Sequence, residues 1–334
     1  MILQDKGAYV MPLENIIAVS NLTKYYGNLL AVDQISFEVR DQELFGFLGP
    51  NGAGKTTTIS MLTGITKPTS GKACIAGYDI IKEPIKAKEL IGVVPDVSGV
   101  YDELTAWGNI NFSAKLHSVP KEKRKTRARE LLELFDLYDR RDDRVGTFSR
   151  GMKKRLMIAT TLVYEPKIIF LDEPTTGLDV QSSRQIRNLI KEMNKDGTTF
   201  FLTTHYIEEA DQLCQRIAII NKGKLITVDT PERLKKMVQA ENIIEISFNN
   251  AGDFSEKLKG LNRIKNVVRV ADKFRLYVED PSETLPLIVD FASRNHLKVT
   301  SIVTLKPTLE DAFVSLTCVR PEVMANEKET PKTA

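Results

Sequence analysis

The chain has 334 residues with 47 basic and 44 acidic side chains, a near balance that gives no strong electrostatic pull towards nucleic acid. Its three histidines and three scattered cysteines, Cys74, Cys214 and Cys318, exclude a His-rich or Cys-spaced metal site and suit a reducing compartment. No apolar run approaches the ~20 residues needed to cross a bilayer, and the N-terminus, with Asp5 and Lys6, lacks the apolar core of a leader peptide.

Ile16 to Arg40 reads as an antiparallel strand pair around Tyr25 and Tyr26. Either ring offers a flat face for stacking, and either could simply pack in a strand. Leu44 to Leu48 is a continuous apolar run, read as a buried strand. It runs into Gly49-Pro50-Asn51-Gly52-Ala53-Gly54-Lys55-Thr56, which fits the phosphate-loop pattern G-x-x-x-x-G-K-[ST]. Four fixed positions would match by chance in a chain this long only about one time in a hundred. A helix from Thr56 to Leu62 follows, stopped by Thr63-Gly64. Strand, glycine loop and helix N-terminus together aim backbone N–H groups at an anion. Lys55 is then the cation for the β/γ-phosphates, and the Thr56 hydroxyl a ligand for Mg²⁺. This pattern predicts a bound nucleotide.

A second β region is expected near Lys72 to Tyr78, and a strand over Ile91 to Val94 that ends in Pro95-Asp96. From Asp96 to Thr147 the pattern turns helical, with Thr105 capping a helix to His117 and Pro120 opening a longer one. In the second helix Ala128, Leu131, Leu132 and Phe135 form an apolar stripe. The basic run Lys121 to Arg129 interleaves no aromatics and reads as the solvated face of that helix, with attraction to anionic lipid as the second reading. Ser149 is a good N-cap for a helix continued by Leu156, Ala159 and Val163. Ile168 to Leu171 is a buried strand ending in Asp172-Glu173, at the sheet edge where open α/β folds place ligands. Asp172 is suited to a metal shell, and Glu173 to accepting a proton from attacking water. A third apolar strand, Phe200 to Thr204, ends at His205.

Taken in order, these motifs resemble the ATP-binding subunit of an ABC transporter over about Ile16 to Leu234. Phe148-Ser149-Arg150-Gly151-Met152 stands where that family carries L-S-G-G-Q, with Arg150 and Met152 replacing a glycine and the glutamine. The divergent form is similar to that of the drug, lipid and polysaccharide exporters (the ABC-2 type), whose permease is a separate chain. The resemblance implies an α/β P-loop NTPase (ABC ATPase) domain with antiparallel β and helical subdomains. It implies ATP contacts at Tyr26, Gly49, Asn51, Gly52, Gly54, Lys55, Thr56 and Thr57. Ser149 and Gly151 would reach a second subunit's ATP, and Gly177-Leu178-Asp179 matches the loop that crosses between subunits. Metal contacts are expected at Thr56, Asp96 and Asp172, with Glu173 and His205 catalytic. Asp96 departs from the family's glutamine; it can ligate a metal, but it is shorter, charged and has no donor.

After Pro231 the nucleotide motifs end. Strand Ile243 to Phe248, helix Phe254 to Leu261, a hairpin over Val267 to Val278, helix Leu285 to Asn295 and strand Val299 to Leu305 give a β-α-β-β-α-β order. That order predicts a small ferredoxin-like α+β domain. Pro307 to Phe313 opens a last helix, similar to the segment closing this exporter subfamily's ATPase subunits.

The expected organisation is an N-terminal extension 1–15, a nucleotide-binding domain 16–235 with a helical subdomain at about 96–160, an accessory domain 241–318, and a disordered tail 320–334. The resemblance implies an ATPase using ATP and Mg²⁺ at the cytoplasmic face of the membrane, peripheral to it. Its expected partners are a multi-span permease and a second nucleotide-binding subunit, as a homodimer, with no nucleic acid. A soluble mechanical ATPase of the same superfamily, acting in translation or on DNA, is the competing reading. Such proteins carry two cassettes or a long coiled coil, and this chain has one cassette and no sustained heptads. A GTP switch or kinase fits less, since no N-K-x-D tetrapeptide occurs.

Overall fold

The structure is a computed structural model that describes residues 15–97, 99–237, 242–249, 252–270, 272–305 and 308–317. The expected extension up to residue 14 and the tail 320–334 lie outside the described residues. The chain divides into two compact units, and the second begins at Pro231.

In the first unit, β1 (Asn15–Tyr26) and β2 (Leu29–Arg40) form the expected antiparallel pair. β3 (Leu44–Leu48) leads through the glycine loop into α1 (Lys55–Leu62). β4 (Ser70–Ile75) and β5 (Tyr78–Asp79) extend the first pair into a sheet ordered β2-β1-β4-β5. Then come α2 (Pro84–Glu89), β6 (Ile91–Val94), and the helical segment α3 (Ala106–Leu116), α4 (Lys121–Leu134) and α5 (Arg150–Leu162). Thr105 caps α3 by accepting from the Gly108 amide at 2.9 Å, and the α4 stripe of Ala128, Leu131 and Leu132 is buried.

β7 (Ile168–Asp172), α6 (Val180–Lys195), β8 (Thr199–Thr204), α7 (Ile207–Leu213), β9 (Arg216–Asn221) and β10 (Lys224–Asp229) complete the unit. The second sheet is ordered β10-β9-β3-β8-β7-β6 and is parallel except for the β9–β10 hairpin. Every residue of β3, β7 and β8 is buried, as a parallel sheet covered on both faces requires. The two sheets share one aromatic core. Phe37 of β2 stacks on Phe45 of β3 at 5.7 Å, and Phe201 of β8 lies within 6 Å of Phe37, Phe45, Phe47 and Phe170. Because β3, β8, β7 and β6 are neighbours running the same way, their C-terminal ends bring four loops to one edge.

The second unit opens with α8 (Pro231–Met237), which buries Leu234 and packs against the last helix of the same unit. The division thus falls at Thr230, five residues before the domain end expected at 235, because α8 finds its apolar partner on the C-terminal side. β11 (Asn242–Phe248), α9 (Ser255–Lys259), β12 (Ile264–Val270), β13 (Lys273–Val278), α10 (Pro281–Arg294) and β14 (Val299–Leu305) follow the ferredoxin-like order, and α11 (Leu309–Thr317) closes the unit. The sheet is ordered β12-β13-β11-β14 and antiparallel throughout. Ile244, Ile246, Phe274, Leu276, Ile288 and Phe291 form its core. α10 starts earlier than the expected Leu285, because Asp280 caps it through the Ser282 amide and Pro281 takes the first turn.

Candidate functional site

The four loops at the sheet edge surround a cavity of about 550 Å³, lined among others by Tyr26, Asn51, Gly52, Gly54, Lys55, Thr56, Thr57, Asp96, Glu173 and His205. That size suits a nucleotide-scale ligand. Tyr26 lines the cavity and Tyr25 does not, which separates two neighbours that the sequence leaves equivalent. The glycine loop is held by sterics as much as by sequence. Gly54 has a φ of 105°, and a Cβ there would stand 2.7 Å from the Ala31 carbonyl oxygen. Only glycine lets the backbone turn its amides into the cavity at this point.

Lys55 is 6% exposed, and its ammonium donates to the carbonyls of Gly49 at 2.8 Å and Pro50 at 3.1 Å. It also pairs with Glu173 Oε1 at 3.1 Å. The other Glu173 oxygen meets His205 Nδ1 at 2.7 Å and accepts from the Thr176 hydroxyl at 3.1 Å. Burial pushes the Glu173 carboxyl up, but the His205 hydrogen bond and the Lys55 ammonium outweigh it and hold the group below the usual glutamate range. The residue is therefore ionised at neutral pH. Its backbone has a φ of 49°, a left-handed conformation that costs a non-glycine residue ~1–3 kcal/mol and clusters at functional positions. The strain aims the carboxylate back between Lys55 and His205.

Asp172, at the end of β7, is fixed from two sides. The Thr56 hydroxyl donates to its Oδ2 at 3.0 Å, and the Thr203 hydroxyl donates to its Oδ1 at 2.5 Å. Thr56 and Asp172 form a pair of hard oxygen donors beside the loop amides. That donor set fits a small cation such as magnesium, which takes few protein ligands and completes its shell with water and phosphate.

Ser149 and Gly151 do not line this cavity. Ser149 caps α5, accepting from the Met152 amide at 3.3 Å. A Cβ on Gly151 would meet the Ser182 hydroxyl oxygen of α6 at 2.4 Å, so packing inside the unit already requires glycine there. Asp179 caps α6 through the Ser182 amide at 2.8 Å. Three buried polar residues near the site were outside the sequence-based expectations. Thr203 holds Asp172. Glu209 of α7 accepts from the Thr175 hydroxyl at 2.8 Å, and burial pushes its carboxyl up. Lys154 of α5 donates to the backbone at Pro95 and Asp96. Their only sequence signal is a polar residue at a position whose periodicity calls for an apolar one.

Residues 32–176 match the ABC transporter family model, and residues 230–317 match that of the ATP-binding protein DrrA1-3-like C-terminal domain. The linearmycin resistance ATP-binding protein LnrL of Bacillus subtilis is 35% identical over 90% of this chain and 98% of that protein. The daunorubicin/doxorubicin resistance ATP-binding protein DrrA of Streptomyces peucetius is 36% identical over 90% of this chain and 92% of its own. Among solved structures, cbiO1 from Clostridium perfringens, part of an ABC transporter complex, superposes with a TM-score of 0.62 at 29% identity. That match covers 66% of this chain and 90% of the solved one. The chain belongs to the ATP-binding subunits of ABC transporters, as an ATPase whose residues 230–317 match the DrrA1-3-like C-terminal domain.

Proposed function

We propose that two copies of this chain close head to tail around two ATP molecules and drive export through a separate multi-span membrane permease, at whose cytoplasmic side they sit. The observation that carries the chemistry is the buried Lys55–Glu173–His205 constellation beside the Thr56–Asp172 pair. The direction of transport rests on relatives named for resistance to linearmycin and to daunorubicin. No helix among the described residues is long and apolar enough to cross a membrane.

In this reading the loop amides and Lys55 bind the β- and γ-phosphates, and Tyr26 stacks on the base. Thr56 and Asp172 would hold Mg²⁺, with Asp96 as a further oxygen; bound there, the ion would neutralise charge on the transferring phosphoryl. Lys55 exchanges its carbonyl and Glu173 contacts for phosphate oxygens. Glu173 thereby loses a cationic neighbour and becomes a better base for the attacking water. His205 keeps the Glu173 carboxylate oriented and meets the γ-phosphate with its other ring nitrogen. Ser149 and Gly151 complete the site from the opposite subunit.

Glu173→Gln tests the assignment, because the amide keeps size but cannot take a proton. The variant is expected to bind ATP, lose turnover, and run on size exclusion as a dimer that retains nucleotide when Mg·ATP is present. Near wild-type turnover would remove Glu173 as the base, and a monomer under all conditions would remove the ATP-closed dimer.

A further inference from the structure

Helix α5 carries an anomaly on its buried face. Lys154, Met157, Ile158 and Thr161 lie at i, i+3, i+4 and i+7, and all four are buried. The first of them is a lysine, 5% exposed, where the period calls for an apolar side chain. Burying an ammonium is costly unless hydrogen bonds satisfy it, and a well-packed apolar residue is often the more stable choice. Lys154 is satisfied by the backbone: Nζ donates to the Pro95 carbonyl at 2.9 Å and to the Asp96 carbonyl at 3.3 Å. Burial pushes its pKa down, and the nearby carboxylates of Asp96, Asp172, Glu173 and Glu209 offset part of that.

The surrounding contacts show what this lysine is attached to. The segment after β6 is bound along its length to the segment that contains the start of α5. Lys153 pairs with Asp102 at 2.8 Å, the Gly146 amide donates to the Asp102 carbonyl at 2.9 Å, and the Val145 amide donates to the Leu104 carbonyl at 2.9 Å. Lys154 makes the innermost of these ties, at the point where the chain leaves the central sheet. Asp96 lines the nucleotide cavity; Ser149 and Gly151, one turn before Lys154, do not.

We propose that Lys154 is a positioning residue that pins the Pro95–Asp96 turn to helix α5, so that one rigid element sets both Asp96 and the Ser149–Gly151 surface. The inference rests on the function proposed above and adds a route of coupling within one subunit. The route runs through backbone carbonyls, so it does not require the glutamine side chain that Asp96 replaces. Any shift of α5 on meeting a second subunit is carried to the turn that sets Asp96 in the cavity Thr56 also lines.

The test uses the full chain with Lys154→Met and Lys154→Arg, with two readouts. In amide hydrogen exchange without nucleotide, Lys154→Met is expected to speed exchange over 91–105, while β3, β7 and β8 keep wild-type protection. In steady-state kinetics, Lys154→Met is expected to lower kcat by about tenfold or more, since small misplacements at a reacting centre are costly. Affinity for a fluorescent ATP analogue should stay within about threefold, because the loop and Lys55 are untouched. Lys154→Arg, which keeps the charge and the donors, is expected to recover most of both losses. Unchanged exchange over 91–105, a kcat within about twofold of wild type, or no rescue by arginine would each overturn the pin. If the wild-type chain hydrolyses no ATP, the proposed function fails, and the exchange experiment still decides the pin on its own.

Discussion

At the scale of single residues, the site is organised around carboxylates oriented by fixed donors. Thr203 is the least obvious of these donors: its hydroxyl donates to Asp172 at 2.5 Å and also accepts from the Glu173 amide at 3.3 Å. Thr203→Val removes a hydrogen bond to a charged group, worth ~1.5–3 kcal/mol, and leaves strand shape and β-branching intact. We expect kcat/KM to fall by about tenfold or more and the Mg²⁺ concentration for half-maximal rate to rise, with stability lowered by no more than that hydrogen bond. An unchanged Mg²⁺ titration would remove Thr203 as the support of Asp172. Glu173 also makes a pH-dependent contribution. Its carboxyl lies below the usual range in the folded chain, so its stabilisation is complete above the ordinary glutamate value of 4.5 and is lost as pH falls through the folded value. Glu173→Gln should therefore cost stability at neutral pH, with the gap to wild type closing as the solution is acidified. Chemical denaturation at a series of pH values measures that gap, and one independent of pH would show that charge plays no part.

At the scale of elements, apolar runs made the central strands legible, and the break at the end of each run marked the chemistry. The runs that became β3, β7 and β8 are uninterrupted, so Gly49, Asp172 and His205 stand out as the residues that end them. Polar residues that act across the fold give no such signal. Lys154 and Thr203 reach partners 59 and 31 residues away, and the only local sign of either is a polar residue at a position whose period calls for an apolar one. Helix α6 was also unread, although Asp179 caps it and Ile186, Ile190 and Met193 form its buried stripe. Its face is otherwise so polar that tertiary packing has to supply what propensity does not. Packing between the two sheets centres on β8. Phe201 is fully buried among rings from both sheets, and Phe201→Ala removes contacts to four of them at once. We expect a loss of ~3–5 kcal/mol in urea unfolding, the usual cost of emptying an aromatic site in a rigid core. A loss below about 1 kcal/mol would mean that the two sheets repack freely around the gap.

At the scale of the whole molecule, the C-terminal unit presents a purpose that the chemistry does not supply. None of its described residues lines the nucleotide cavity, yet it has a complete core of its own. Its sheet faces away from that core with a built ion cluster, Glu245 between Lys273 at 2.8 Å and Arg275 at 3.0 Å, which suits a wetted surface better than a second core. A cassette that meets its partner only through ATP separates after each hydrolysis. A lasting contact elsewhere turns reclosure into an intramolecular event and raises the partner's effective concentration. The unit is therefore expected to hold two copies together through the open state. Its first helix belongs with it, since α8 packs on α11, so the informative truncation is after Thr230 and not further along. The truncated chain should bind ATP as the full chain does, because every loop of the cavity remains. Its ATPase rate per subunit should fall steeply over about a hundredfold dilution, whereas the full chain's rate stays nearly flat. Parallel dilution curves for the two chains would leave the C-terminal unit as a stabilising cap with no hold on the partner.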